Sequence, residues 1–189
     1  GVAGEFDEAN EFGSYACRLM QQMRRLKAVG DMCIMMGNML LRHDLRAASE
    51  WYRRGLTVVH PDDPGRGTLL GNLASTLLEA GKLDEADNAL KEARRWVSGR
   101  TDAEIGSLRV KIPMNLGLIE YQRRNWKRAK EQFEAALAQM EDGKRPSDTA
   151  WHNLGMLMYR GDDTKTAREY LLRAQDLYWK RGDKTLWAY

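Results

Sequence analysis

The sequence predicts an all-α fold, a solenoid of stacked antiparallel helix pairs. Three observations predict it. A pattern of small and large residues returns every 38 to 43 positions. Only 4 of the 189 residues are proline. Caps and breakers divide the chain into nine segments of helical length, over 7–26, 32–42, 45–59, 65–80, 84–97, 102–123, 127–141, 148–160 and 164–181.

The pattern is clearest in three copies. It reads Leu73-Ala74 followed by Ala86, Leu90 and Ala93. It returns as Leu116-Gly117 followed by Ala129, Phe133 and Ala136, and again as Trp151 and Leu154-Gly155 followed by Ala167, Leu171 and Ala174. In each copy the small residue of the first pair precedes the first alanine of the second set by twelve positions. A small residue on one helix lets its neighbour approach. Small, large and small side chains on one face of the next helix then fill the gap.

Taken in order, Gly4-Glu5-Phe6-Asp7-Glu8-Ala9 reads as a turn and the start of a second helix. Met36-Gly37 marks a first helix. Leu45, Ala48, Tyr52 and Gly55 mark its partner, with one residue deleted from the turn at His43-Asp44. Asp63 before Pro64 is an N-cap with proline at the first helical position. Ala80-Gly81-Lys82, Arg124-Asn125 and Gly161-Asp162 are the turns within the three clear pairs, and Leu83 and Trp126 reach past two of them to close the pair apolarly. Thr101-Asp102-Ala103-Glu104 has capping-box spacing, which starts a long helix well before Leu116. Pro113 then sits inside that helix and kinks it; the alternative is a loop ending near Val110. Gly182-Asp183-Lys184 is a further turn.

These residues resemble the tetratricopeptide repeat, whose pattern is Trp-x2-Leu-Gly-x2-Tyr followed by Ala-x3-Phe, Ala and a terminal Pro. Residues 148–181 carry it best, and 110–143 and 67–100 nearly as well. Ser98, Glu141 and Trp179 stand where the proline would. The resemblance implies a right-handed superhelix. The expected organisation is a single array: a half repeat over 1–28, a divergent repeat over 29–62, the three clear repeats, and the start of another helix at 182–189. The chain reads as a piece of a longer array. Long repeats of this kind are similar to those of kinesin light chain and of bacterial peptide-sensing regulators.

In that family the first helix of each pair lines a concave groove. Carried onto this chain, its groove positions give Asn72, Ser75 and Glu79 from one repeat, Lys111, Asn115, Tyr121 and Gln122 from the next, and His152, Asn153, Tyr159 and Arg160 from the third. Thr68, Met114, Leu118, Thr149 and Met156 fall at the remaining positions. Asn72, Asn115 and Asn153 are equivalent. A carboxamide both donates and accepts, so each could pair with one peptide unit of an extended ligand; shared ancestry of the repeats would explain them without a ligand. The family's carboxylate clamp is only partly present. Asn38, Asn72 and Lys111 fall at clamp-like positions, but Ile34 and Asn115 replace its two cations.

The function expected is non-catalytic recognition of a protein or extended peptide, neutral or acidic in character. The alternative is the ligand- or peptide-sensing region of a larger bacterial transcriptional regulator. No cofactor or metal is expected: His43, His60 and His152 are scattered, and no phosphate loop or nucleophile elbow occurs. No stretch approaches 18 uncharged apolar residues, so no membrane span is expected. A net charge of +3 is too small to imply nucleic acid, which is not an expected partner. Arg123, Arg124, Lys127, Arg128 and Lys130 read as a solvated face, with an acidic partner or RNA as the alternative. Met32, Met35, Met36 and Met39 read as core, with an adaptable binding surface as the alternative. Cys17 and Cys33 read as buried free thiols, which favours a cytoplasmic location. Leu177, Tyr178, Trp179, Leu186, Trp187 and Tyr189 crowd the C-terminal end, where self-association is expected.

Overall fold

A computed structural model describes residues 2–100, 103–141, 148–160 and 163–181. Among the described residues there are nine helices and no strand: α1 (Val2–Gln22), α2 (Leu26–Leu40), α3 (Leu45–Val58), α4 (Pro64–Glu79), α5 (Leu83–Val97), α6 (Ala103–Gln122), α7 (Trp126–Glu141), α8 (Asp148–Arg160) and α9 (Thr164–Arg181). Seven lie within two residues of their expected bounds. The first two differ. Gly4 and Glu5 are helical, and α1 ends at Gln22, so α2 starts six residues before position 32.

The early break has a local cause. Arg24 adopts φ +55°, and the amides of Arg24 and Arg25 donate back to the carbonyls of Gln21 (2.9 Å) and Met20 (2.8 Å). This pair of bonds is the Schellman closure of a helix end. The same closure ends α4, where Gly81 (φ +73°) and Lys82 donate to Leu78 and Leu77, and α6, where Arg124 (φ +61°) and Asn125 donate to Tyr121 and Glu120. A left-handed residue is expected at Gly81. At Arg24 and Arg124 it places a β-carbon where only glycine is free of cost, and for that reason the sequence hides these turns.

Aspartates cap three helix starts, of which Asp63 was the one expected. Asp44 accepts from the Ala47 amide (2.9 Å) and Asp63 from the Gly65 amide (2.7 Å) with Pro64 leading the helix. Asp163 does the same for α9, accepting from the Thr166 amide at 3.1 Å. Pro113 lies inside α6, so the loop alternative does not hold. The proposed cap at Thr101-Asp102 and the turns at Gly161-Asp162 and Gly182-Lys184 lie outside the described residues.

The chain forms two compact units, residues 1–108 and 109–189. In the first, α1 packs on α2, α2 on α3, α3 on α4 and α4 on α5. Leu69, Leu70, Leu77, Leu90 and Tyr52 are fully buried there, and the first turns of α6 add Ile105 and Leu108. The loop before α4 is tied down by Trp96, whose Nε1 donates to the Pro61 carbonyl (2.7 Å), and by Arg100, which pairs with Asp62 (2.7 Å) and stacks on Trp96. In the second unit α7 packs on α8 and α8 on α9, around Met114, Phe133, Leu154 and Leu157. Burying a side chain such as Phe133 is worth about 1.5–3 kcal/mol.

The repeat pattern is the packing pattern. Ala86, Ala129 and Ala167 are buried at their helix contacts. A β-carbon on Gly117 would stand 2.4 Å from Phe133 Cε1, and one on Gly155 would stand 2.6 Å from Leu171 Cγ. The small residue of the first helix is therefore the seat of the large residue of the second. Leu116 and Leu154, its neighbours, help fix how each first helix is rotated, and so which residues it turns outward.

Candidate recognition face on the first helices

In the first unit the outward residues of α2 and α4 meet through one oxygen. Asn38 Oδ1 accepts from Asn72 Nδ2 (3.0 Å) and from the Tyr52 hydroxyl (2.7 Å). Burial pushes the Tyr52 phenol up to about 12, against the opposing effect of its hydrogen bond with Asn72. Asn72 thus spends a donor within the fold, and Asn38 and Tyr52 join it. Ser75 is exposed, with its hydroxyl donating to the Gly71 carbonyl (3.0 Å), and Glu79 is exposed at the end of α4.

In the second unit Asn153 Nδ2 reaches Met114 Sδ at 3.4 Å, a weak acceptor that leaves most of the carboxamide's capacity unused. Asn115 is buried at 9% exposure and is bonded. The equivalent asparagines therefore differ: Asn72 links helices, Asn115 is interior, and Asn153 is half-buried.

The aromatic part of this face is more open. Trp126 packs edge-on against Tyr121 (centroids 5.4 Å apart), and the Arg160 guanidinium lies 5.3 Å from the Tyr121 ring centroid. Tyr159 is 61% exposed, Lys111, Gln122 and Arg160 are exposed, and His152 is half-buried. Tyr121 is thus held on two sides. The arginine stacked on it keeps its hydrogen-bonding edge for another group, since stacking uses its face. The sequence reading placed Trp126 as a closing residue of the pair and missed this second role.

One side reading changes. Of the four methionines on α2, Met36 is buried and Met32 half-buried, but Met35 and Met39 are 56% and 40% exposed. The expectation of core alone therefore fails: the helix offers only one face to the core, and Met35 lies away from it. The basic run is solvated, with Arg123 near Glu120 (3.5 Å) and Lys130 near Glu134 (3.8 Å). Cys17 and Cys33 are buried free thiols. Tyr178 is buried and Trp179 is half exposed; Leu186, Trp187 and Tyr189 lie outside the described residues. Among the described residues no three His, Cys, Asp or Glu converge as metal ligands, and no helix is long and apolar enough to cross a membrane.

No family model matches the chain, and no curated protein matches it in sequence. Solved structures do. BtubC (BKLC) from P. vanneervenii superposes with a TM-score of 0.75 at 20% identity, covering 96% of this chain and 76% of that one. A putative kinesin light chain from Podospora anserina with nearly identical tetratricopeptide-like repeats gives 0.68 at 15% identity, covering 96% and 90%. MamA gives 0.66 at 14% identity, covering 96% and 93%. At these identities the likeness concerns the fold. The chain has the tetratricopeptide-like fold, an all-α solenoid of helical repeats.

Proposed function

We propose that this chain is a non-catalytic recognition module whose first helices bind a protein segment in extended form, and that the bound segment is neutral or acidic. The observation that carries the reading is the Arg160–Tyr121 stack in the second unit, with the exposed Tyr159 next to Arg160 in the chain and with Lys111 and His152 on the same helices. Preset aromatic and arginine side chains give contact area at low entropic cost. The cationic members favour carboxylates. Asn153 supplies a donor and an acceptor for main chain, and Gln122 another pair. In the first unit Ser75, Glu79, Met35 and the Asn38–Asn72 pair are less basic outward residues of the first helices.

The test is selection from a displayed library of unstructured peptides against the whole chain, followed by affinity measurement. Enriched peptides should carry acidic residues, and Tyr159→Ala with Arg160→Ala together should weaken them at least ten-fold while the helical circular dichroism is retained. Enriched peptides that bind the double variant equally well would reject the face, and enrichment of basic sequences would reject the assigned ligand class.

A further inference from the structure

Cys17 and Cys33 come from different helices and lie side by side in the interior. Gly13 of α1 faces Met36 of α2 so closely that a β-carbon there would stand 2.9 Å from the Met36 sulfur. The two helices are joined by the short turn at residues 23–25 and run antiparallel. One turn further along α1 and one turn back along α2 come Cys17 and Cys33. Both are fully buried and free, and the Cys17 side chain is near enough to act on the Cys33 thiol.

We propose that Cys17 and Cys33 are a disulfide-forming pair that fastens α1 to α2 when the chain meets a low-molecular-weight disulfide as oxidant. The reaction is ordinary exchange. One cysteine thiolate attacks the oxidant's sulfur bond, forming a mixed disulfide and expelling one small thiolate. The other cysteine, as thiolate, then attacks the protein sulfur of that mixed disulfide and expels the second. The protein pair gives up two electrons and two protons, and the oxidant becomes two thiols.

The surroundings set when this happens. Burial, and secondarily the neighbouring Cys17, push the Cys33 thiol up to about 12, so little thiolate exists in the closed fold and exchange waits for α1 to open. Among the described residues, the ties that must loosen include Trp51 Nε1 to Asn10 (2.7 Å), Arg54 to Ser14 (3.3 Å) and the Gly13–Met36 packing. Once formed, the bond would close a short loop and hold α2, one of the two helices that present the outward residues of the first unit.

The pair is tested by refolding the full chain from denaturant in graded mixtures of reduced and oxidised glutathione, quenching with an alkylating agent and weighing the intact protein. The refolded chain should lose two hydrogen atoms and carry no glutathione. Half-oxidation should require on the order of 100-fold less oxidised glutathione than in denaturant, since a loop of this size gains about that much from the native fold. Cys17→Ser and Cys33→Ser should each leave the remaining cysteine as a thiol or a glutathione adduct. An oxidation midpoint no better than in denaturant, or glutathione on single cysteines of the refolded wild type in place of the internal bond, would overturn the proposal.

Discussion

The Tyr52 ring rests on Gly37, so close that a β-carbon on Gly37 would stand 2.3 Å from Tyr52 Cε1. The same relation joins Phe133 to Gly117 and Leu171 to Gly155. It is the physical content of the repeat: the glycine is a seat, and the ring or leucine fifteen or sixteen residues later occupies it. Gly117→Ala should therefore overpack the α6–α7 contact by about 1–3 kcal/mol, of which the better helix propensity of alanine returns up to about 1 kcal/mol. Thermal or urea unfolding checks the net loss. A gain in stability would mean the helices have room that this packing denies.

Ala129 is fully buried on α7 beside Phe133. Ala129→Leu should cost on the order of 1–3 kcal/mol, because the added carbons have no void to enter. An unchanged urea midpoint would place Ala129 outside the helix contact.

Arg124 holds a left-handed conformation at the end of α6, where Gly81 stands at the end of α4. Relief of about 1–2 kcal/mol of backbone strain, less the extra freedom glycine has when unfolded, makes Arg124→Gly stabilising by roughly 0.5–1 kcal/mol. Differential scanning calorimetry should show a melting temperature raised by a few degrees at most. A lowered one would show that the Arg124 side chain contributes more than its backbone costs.

Tyr52 is buried with its phenol pushed up to about 12 by that burial. The folded chain then keeps a proton that the unfolded chain loses near pH 10, so the tyrosine's contribution to stability is intact below pH 10 and is lost as pH rises from there towards 12. Tyr52→Phe should flatten part of this alkaline decline, and the Cys33 thiol, also pushed up to about 12, accounts for another part. Urea midpoints measured across the alkaline range check it. A Tyr52→Phe chain that declines as steeply as wild type would remove the tyrosine from the account.

Much of the helix order was legible because seat and occupant are both residue types. Gly117 and Phe133 announce their contact by size alone, and Asp63-Pro64 announces its cap by chemistry. The end of α1 was not legible, because an arginine occupies the position where a glycine would have marked the turn. Of the recognition face, the positions were legible and the roles were not. Asn72, Asn115 and Asn153 look alike in sequence, yet Asn72 bonds Asn38, Asn115 is buried, and Asn153 touches a methionine sulfur. Those differences come from what the neighbouring helix presents, which no periodicity encodes. The Tyr121–Arg160 stack, between residues 39 positions apart, was hidden for the same reason.

The central claim is that the first helices, and not their partners, carry recognition. Amide hydrogen exchange of the chain with and without a selected peptide tests it most directly. Binding in the second unit should slow exchange in the latter half of α6 and in α8, around Tyr121 and Tyr159, and leave α7 and α9 as they were. Protection confined to α7 and α9, with α6 and α8 unchanged, would contradict it.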